Sequence, residues 1–105
     1  MPIENNRLLM QLDTLRREVN REVINPDFPE LAIDDLRPML HMVAVARSAY
    51  VKELLEIAEQ SRGGMPSPEQ IRQLKESRET FEELVSAANA LETLIQRDYL
   101  DIAGS

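Results

Sequence analysis

The 105-residue chain has no cysteine, no tryptophan and only three glycines. Without cysteine there are no disulfides, thiol nucleophiles, iron–sulfur clusters or cysteine-liganded zinc sites. Gly63, Gly64 and Gly104 form no glycine-rich phosphate-binding loop. The sequence also lacks the ~20-residue apolar run that crosses a bilayer. Its amino-terminal residues lack the basic start and apolar stretch of an export signal. We therefore expect a cytoplasmic protein held together by apolar packing.

Acidic residues outnumber basic ones, with 19 against 12 and a formal net charge of −7. This balance opposes binding to a phosphate backbone unless the basic residues gather on one surface. Arg16, Arg17 and Arg21 form a local cluster, but acidic residues lie among them at helical spacing. Nucleic acid is therefore not the expected partner. A DNA-associated regulator that uses these three arginines stays open as an alternative function.

The composition, with 43% hydrophobic and 30% charged residues, is typical of a folded domain. Three segments repeat apolar residues every three or four positions, and none shows the strict alternation of a half-buried strand. The sequence predicts a single all-α domain over residues 1–105, with helices at about 4–24, 35–62 and 68–102. We expect an antiparallel three-helix bundle, made of a long helical hairpin and an N-terminal helix, that self-associates.

The first helix is amphipathic, and its end is marked by proline. We expect it to end near Ile24, because Asn25 precedes Pro26 and a residue before proline is disfavoured in helical geometry. Its apolar residues follow steps of four, three, four and four positions along one stripe: Leu8, Leu12, Leu15, Val19 and Val23.

The second helix is the most apolar of the three. Asp34 or Asp35 is expected to cap its start, and Gly63-Gly64 supplies a left-handed stop after it. Apolar residues lie on two of its faces, so it needs two neighbours. These neighbours are either helices one and three of the same chain, or one of them belongs to a second copy. In the second case the interface residues on this helix are Met42, Val45 and Ala49.

The third helix begins with a capping-box signature, in which Ser67 is the N-cap and Gln70 follows three residues later. Nothing in the sequence breaks it before residue 102. Apolar and aromatic residues crowd its last turns, where a bundle offers little cover, and such a patch usually marks association. The residues expected at this interface are Leu94, Tyr99, Leu100 and Ile102. The alternative is internal packing on the first helix or the connector at Phe28.

Candidate binding side chains are few, and no metal or cofactor is expected. His41 is the only histidine, and no second ligand lies at metal-binding spacing. Arg37, His41 and Lys52 share a rough face of the second helix that is suited to a small anion. A solvated polar stripe explains the same spacing.

One alternative function is a small cofactor-free helical enzyme or anion-binding domain that uses arginine, lysine and histidine side chains. The segment Leu15–Val19 (LRREV) resembles the opening helix of the all-helical chorismate mutases. That resemblance implies catalysis by arginine, lysine and glutamate or glutamine without a cofactor. It covers about a dozen residues, and Pro26 and Pro29 interrupt the chain where that family's helix continues, so no site residues are carried over.

The favoured function is a non-enzymatic helical protein–protein interaction module, such as an adaptor, a small regulator or a chaperone-like binder. We expect it to act as a homodimer and to bind a protein partner rather than nucleic acid or a membrane. Unequal helix lengths, the two-faced second helix and the apolar C-terminal turns favour this interpretation, and catalytic motifs are missing.

Overall fold

The computed structural model describes residues 3–103 and shows an all-α protein. Its three helices are α1 (Ile3–Ile24), α2 (Arg37–Gln60) and α3 (Pro68–Gln96). Short 3₁₀ helices occupy Asn25–Asp27 and Ile33–Leu36 between α1 and α2. Residues 3–103 contain no strand, although Leu31 and Ile102 form one isolated parallel bridge.

The chain divides into two compact units. Unit 1 combines Met1–Asp35 with Leu91–Ser105, and unit 2 is the continuous segment Leu36–Ala90. The arrangement of all three helices as one bundle, and the assignment of residues 1–105 to a single domain, stay predictions.

The start of α2 differs from the sequence-based expectation. Leu36 precedes the helix in helical geometry and makes no side-chain cap. The Asp35 carboxylate instead accepts a hydrogen bond of 2.8 Å from the backbone N–H of Ala32, at the start of the 3₁₀ helix. That 3₁₀ helix leads directly into α2. The Asp35 carboxylate therefore caps the 3₁₀ helix instead of the first turn of α2, where the sequence predicted the cap.

Within unit 2, side chains of α2 and α3 contact one another at two levels. Near the connection, the Gln70 side-chain amide donates to the Gln60 side-chain oxygen over 3.0 Å. Farther away, the rings of Tyr50 and Phe81 stack with centroids 6.2 Å apart, and the Arg47 guanidinium lies 5.3 Å from the Phe81 ring centre. Moving away from the connection, the contacts pass from Gln60 and Gln70 to Tyr50 and Phe81. The two helices therefore run in opposite directions, as in an antiparallel hairpin. The buried side chains of this unit are Val43, Ile57 and Ala88.

The connection between these helices confirms one prediction and shifts another. Ser67 and Gln70 form the predicted reciprocal capping box, with N–H to side-chain distances of 2.9 and 3.1 Å. However, α2 ends at Gln60, two residues before the predicted boundary. Arg62 takes the first left-handed position (φ 52°), and Gly63 takes the second (φ 77°). The left-handed turn therefore begins one residue before the glycine pair that predicted it.

The end of α3 was predicted wrongly. The helix ends at Gln96 rather than at about residue 102. Asp98 adopts a left-handed conformation (φ 60°) and donates its N–H to the Ile95 carbonyl, while the Tyr99 N–H reaches the Leu94 carbonyl over 2.9 Å. These bonds form a Schellman motif without glycine, which aspartate tolerates better than most residues.

Candidate functional site

The apolar stripe that the sequence places on α1, which we name the α1 seam, is exposed. Every residue in it is exposed, to between 43% and 64%. None of the residues of α1 is buried. Unit 1 therefore leaves this face open along the length of the helix. The seam consists of Leu8, Leu12, Leu15, Val19 and Val23.

The predicted interface residues on α2 also lie on an exposed face. Met42 is 52% exposed and Val45 is 55% exposed, and Ala49 is exposed as well. They follow one another at steps of three and four residues, so they share one side of the helix. We call this set the α2 face. The structure thus places these three residues together and open to solvent.

The predicted interface residues at the end of α3 and just after it are not exposed. Tyr99 is 7% exposed and Leu100 is 1% exposed, so neither is part of an exposed patch. Leu94 and Ile102 are half-buried. Tyr99 and Leu100 belong to unit 1, and their burial fits the alternative of internal packing.

A polar cluster in unit 1 fixes the segment that follows α3. The Arg21 guanidinium donates to the Asp98 carbonyl over 2.8 Å and forms an ion pair with the Asp101 carboxylate. Asn25 accepts the Asp101 N–H over 2.8 Å and donates its amide to the Asp101 carboxylate over 3.3 Å. We call these four residues the polar clasp. Beside it, Leu31 receives the Ala103 N–H over 2.7 Å and donates to the Asp101 carbonyl over 3.1 Å.

The clasp was not predicted from the sequence, although its arginine had been assigned to another role. The sequence places Arg21 in a basic cluster with Arg16 and Arg17, but in the structure it binds two aspartates. Arg16 in turn pairs with Asp13 over 2.9 Å. Local acidic partners therefore neutralise two of the three arginines, which weakens the case for a phosphate-binding surface.

A shallow polar groove lies next to the clasp and is lined by residues of unit 1. It brings Arg17 and Arg97 to one concave surface with the Arg16–Asp13 pair. Both acidic and basic groups line it, so its charge is mixed. Its lining is Asp13, Arg16, Arg17, Gln96, Arg97, Asp98 and Tyr99.

The three candidate anion-binding residues are exposed side chains of α2. Arg37 and His41 lie one turn apart. Lys52 follows His41 by eleven residues, which places it roughly 16 Å farther along the helix axis. Only Arg37 and His41 are therefore close enough to contact one small anion together.

The first turns of α3 carry a cluster of ion pairs around Arg72. Arg72 donates from Nε to the Glu69 carboxylate over 3.0 Å and also binds Glu76. The hydrogen bond from Arg72 lowers the pKa of Glu69 below its ordinary value of 4.5. The same carboxylate raises the pKa of Arg72. These groups are solvent-exposed, so the cluster is a surface ion-pair network that supports the helix start.

No protein-family model, curated protein or solved structure matches this chain. Within residues 3–103, no group of three or more histidine, cysteine or acidic side chains is arranged to hold a metal ion. In the same described range, none of the helices has the length and hydropathy needed to span a membrane. The exposed apolar faces and the polar clasp are the most distinctive surface features of the described residues.

Proposed function

We propose that the protein is a non-enzymatic, cytoplasmic interaction module that acts as a homodimer and presents a helical surface to a protein partner. The observation that carries this proposal is the exposure of aliphatic side chains in continuous rows on α1 and α2. Isolated exposed apolar residues are normal on protein surfaces, but rows that follow helical periodicity are not. Such rows are typical of association sites.

The chemistry of the charged residues supports the same proposal. A general acid or base is usually tuned by burial or by a neighbouring charge within a cleft. The acidic side chains of α2 and α3 are exposed, except that Glu53 is half-buried, and the lowered pKa of Glu69 arises from its exposed contact with Arg72. This favours an adaptor, a small regulator or a chaperone-like binder over an enzyme.

The direct test is the mass in solution, measured by size exclusion with light scattering over a hundredfold concentration range. We expect the mass to rise from near 12.0 kDa for one chain to twice that value. The melting temperature is expected to rise with concentration, because mass action stabilises a folded dimer. A monomer with a concentration-independent melting temperature would contradict the homodimer.

A further inference from the structure

We infer that the polar groove of unit 1 binds a carboxylate group of a peptide segment on the protein partner. This inference rests on the proposed interaction module and names the chemistry that its partner presents. Two arginines without a partner, a buried tyrosine whose hydroxyl has none, and the net charge of the lining lead to this assignment. The groove lies wholly within unit 1, between α1 and the turn that ends α3.

The two guanidinium groups available in the groove belong to Arg17 of α1 and Arg97, the residue that follows α3. Both side chains are exposed, and neither forms an ion pair or a side-chain hydrogen bond with another residue of the described range 3–103. The third arginine of the lining, Arg16, is instead engaged by Asp13. A guanidinium presents N–H donors in a planar fork that matches the two oxygens of a carboxylate. Arg17 and Arg97 therefore supply unused donors from two elements to one concave surface.

Acceptors beside the groove are already engaged by other donors. The Asp98 carboxylate forms an ion pair with Arg21 over 3.4 Å, and the Asp13 carboxylate pairs with Arg16 over 2.9 Å. The carbonyl groups at the end of α3 accept backbone N–H groups, namely those of Thr93, Leu94 and Ile95. The groove therefore offers more donors than acceptors, which is what an anionic ligand requires.

A tyrosine hydroxyl adds a third kind of donor. Tyr99 lines the groove and is only 7% exposed, so its ring is packed inside unit 1. Its hydroxyl forms no hydrogen bond within residues 3–103, yet no fully buried side-chain nitrogen or oxygen of that range lacks a partner. The hydroxyl therefore reaches the surface, and at the groove wall it can donate to a ligand oxygen.

The charge of the lining favours a carboxylate over a phosphate. Three arginines and two aspartates line the groove, which gives it a net charge of +1 in a chain of net charge −7. A carboxylate carries one negative charge and neutralises the lining. A phosphate group carries about 1.5 to 2 negative charges at neutral pH, so Asp13 and Asp98 oppose the additional charge. A peptide supplies a carboxylate either on an acidic side chain or at its carboxyl terminus.

The test titrates small ligands into the isotope-labelled full chain at constant ionic strength and neutral pH, followed by nuclear magnetic resonance. The tripeptide acetyl-Gly-Glu-Gly-amide carries one side-chain carboxylate, and acetyl-Gly-Gln-Gly-amide is its uncharged match. Acetyl-Gly-Gln-Gly with a free carboxyl terminus places the same group at the end of a chain. Inorganic phosphate is the more highly charged probe.

We expect the glutamate peptide to shift the Nε–H signals of Arg17 and Arg97 saturably, with weak affinity because the groove is open to solvent. The uncharged peptide should give no saturable shift, and equal shifts with both peptides overturn the inference. Binding of either carboxylate peptide supports it, and the tighter one identifies whether the source is a side chain or a chain end. Tighter binding of phosphate than of both carboxylate peptides overturns the assignment.

Variants test whether the groove is the site. Arg17→Gln combined with Arg97→Gln should weaken binding of the carboxylate peptides about tenfold. Tyr99→Phe keeps the buried ring and should weaken it about threefold. Arg7→Gln is the matched control, since it removes the same charge from an exposed position of the same helix outside the groove, and it should change binding less than about twofold.

Two results with the variants overturn the inference. Equal weakening by Arg7→Gln would show that general charge attraction accounts for binding, and unchanged binding by the double arginine variant would place the site elsewhere. Far-ultraviolet circular dichroism and melting curves report whether each variant still folds.

The groove assignment and the proposed homodimer fail separately. A chain that stays monomeric contradicts the homodimer, but saturable binding of a carboxylate peptide by that monomer supports the groove assignment. A dimer that binds neither carboxylate peptide overturns the groove assignment and leaves the homodimer standing.

Discussion

Asn25 and Asp101 exchange two hydrogen bonds across a sequence separation of 76 residues. The Asn25 side chain accepts the backbone N–H of Asp101 and donates to its carboxylate. This pairing uses both ends of one amide side chain, so it fixes the position and the direction of the segment that follows α3. Arg21 adds an ion pair to the same carboxylate.

Replacing Asn25 with alanine is expected to lower the free energy of unfolding by about 1–2 kcal/mol, because two hydrogen bonds are lost and the Asp101 N–H loses its partner. Urea denaturation measures the loss, and amide hydrogen exchange at Asp101 and Ala103 should accelerate. Asn20→Ala is the control, since the Asn20 side chain bonds to the Arg16 carbonyl within α1. Equal effects of the two substitutions would show that the clasp has no long-range role.

The left-handed conformation of Arg62 gives a second prediction. A residue with a side chain is strained at φ 52°, whereas glycine adopts this conformation freely. Arg62→Gly should therefore raise the free energy of unfolding by about 0.5–1 kcal/mol. Arg62→Ala removes the same side chain and keeps the strain, so it should give no gain. Stabilisation by both variants would point to the loss of the charge instead.

The capping box at the start of α3 gives a third prediction. Ser67→Ala should cost about 1 kcal/mol of unfolding free energy, because the Gln70 N–H loses its acceptor. Ser86→Ala, in the exposed middle of the same helix, should be neutral or slightly stabilising, since alanine is the better helix former. Chemical denaturation of the three proteins in parallel checks both expectations. A neutral Ser67→Ala variant would mean that water replaces the cap without loss.

The ion pairs of α3 give a prediction of pH dependence. The pKa of Glu69 is lowered by Arg72, so the stabilisation is present above the ordinary pKa of 4.5 and is lost as the pH falls through the lowered value. In Arg72→Gln the pKa of Glu69 should rise towards 4.5, as followed by nuclear magnetic resonance of the side-chain carboxyl carbon. Lys75→Gln removes a neighbouring cation that lies 3.8 Å from Glu79 and should leave Glu69 unchanged. An unchanged Glu69 pKa in Arg72→Gln would exclude this cause.

The features that depend on neighbouring residues in the sequence were predicted correctly. Pro26 ends α1 at Ile24, and the Ser67–Gln70 spacing defines the start of α3. Both depend on backbone geometry and capping groups within one turn, which the sequence displays directly.

The features that depend on distant residues were not. No glycine marks the end of α3, and the aspartate that takes the left-handed position, Asp98, is also common in ordinary helical and extended conformations. The polar clasp joins residues 76 to 80 positions apart, which no local pattern reveals. The burial of Leu100 follows from the fold of its segment, since its apolar character alone fits an interface equally well.

The division of unit 1 between two distant parts of the chain sets an order of events during synthesis. Asn25 is synthesised 76 residues before Asp101, an interval of roughly 4–15 s at ordinary rates of elongation. Unit 2 is continuous, so all of its residues are made within that interval. The α2–α3 hairpin can therefore form first, and α1 gains its clasp only when the segment after α3 has been synthesised.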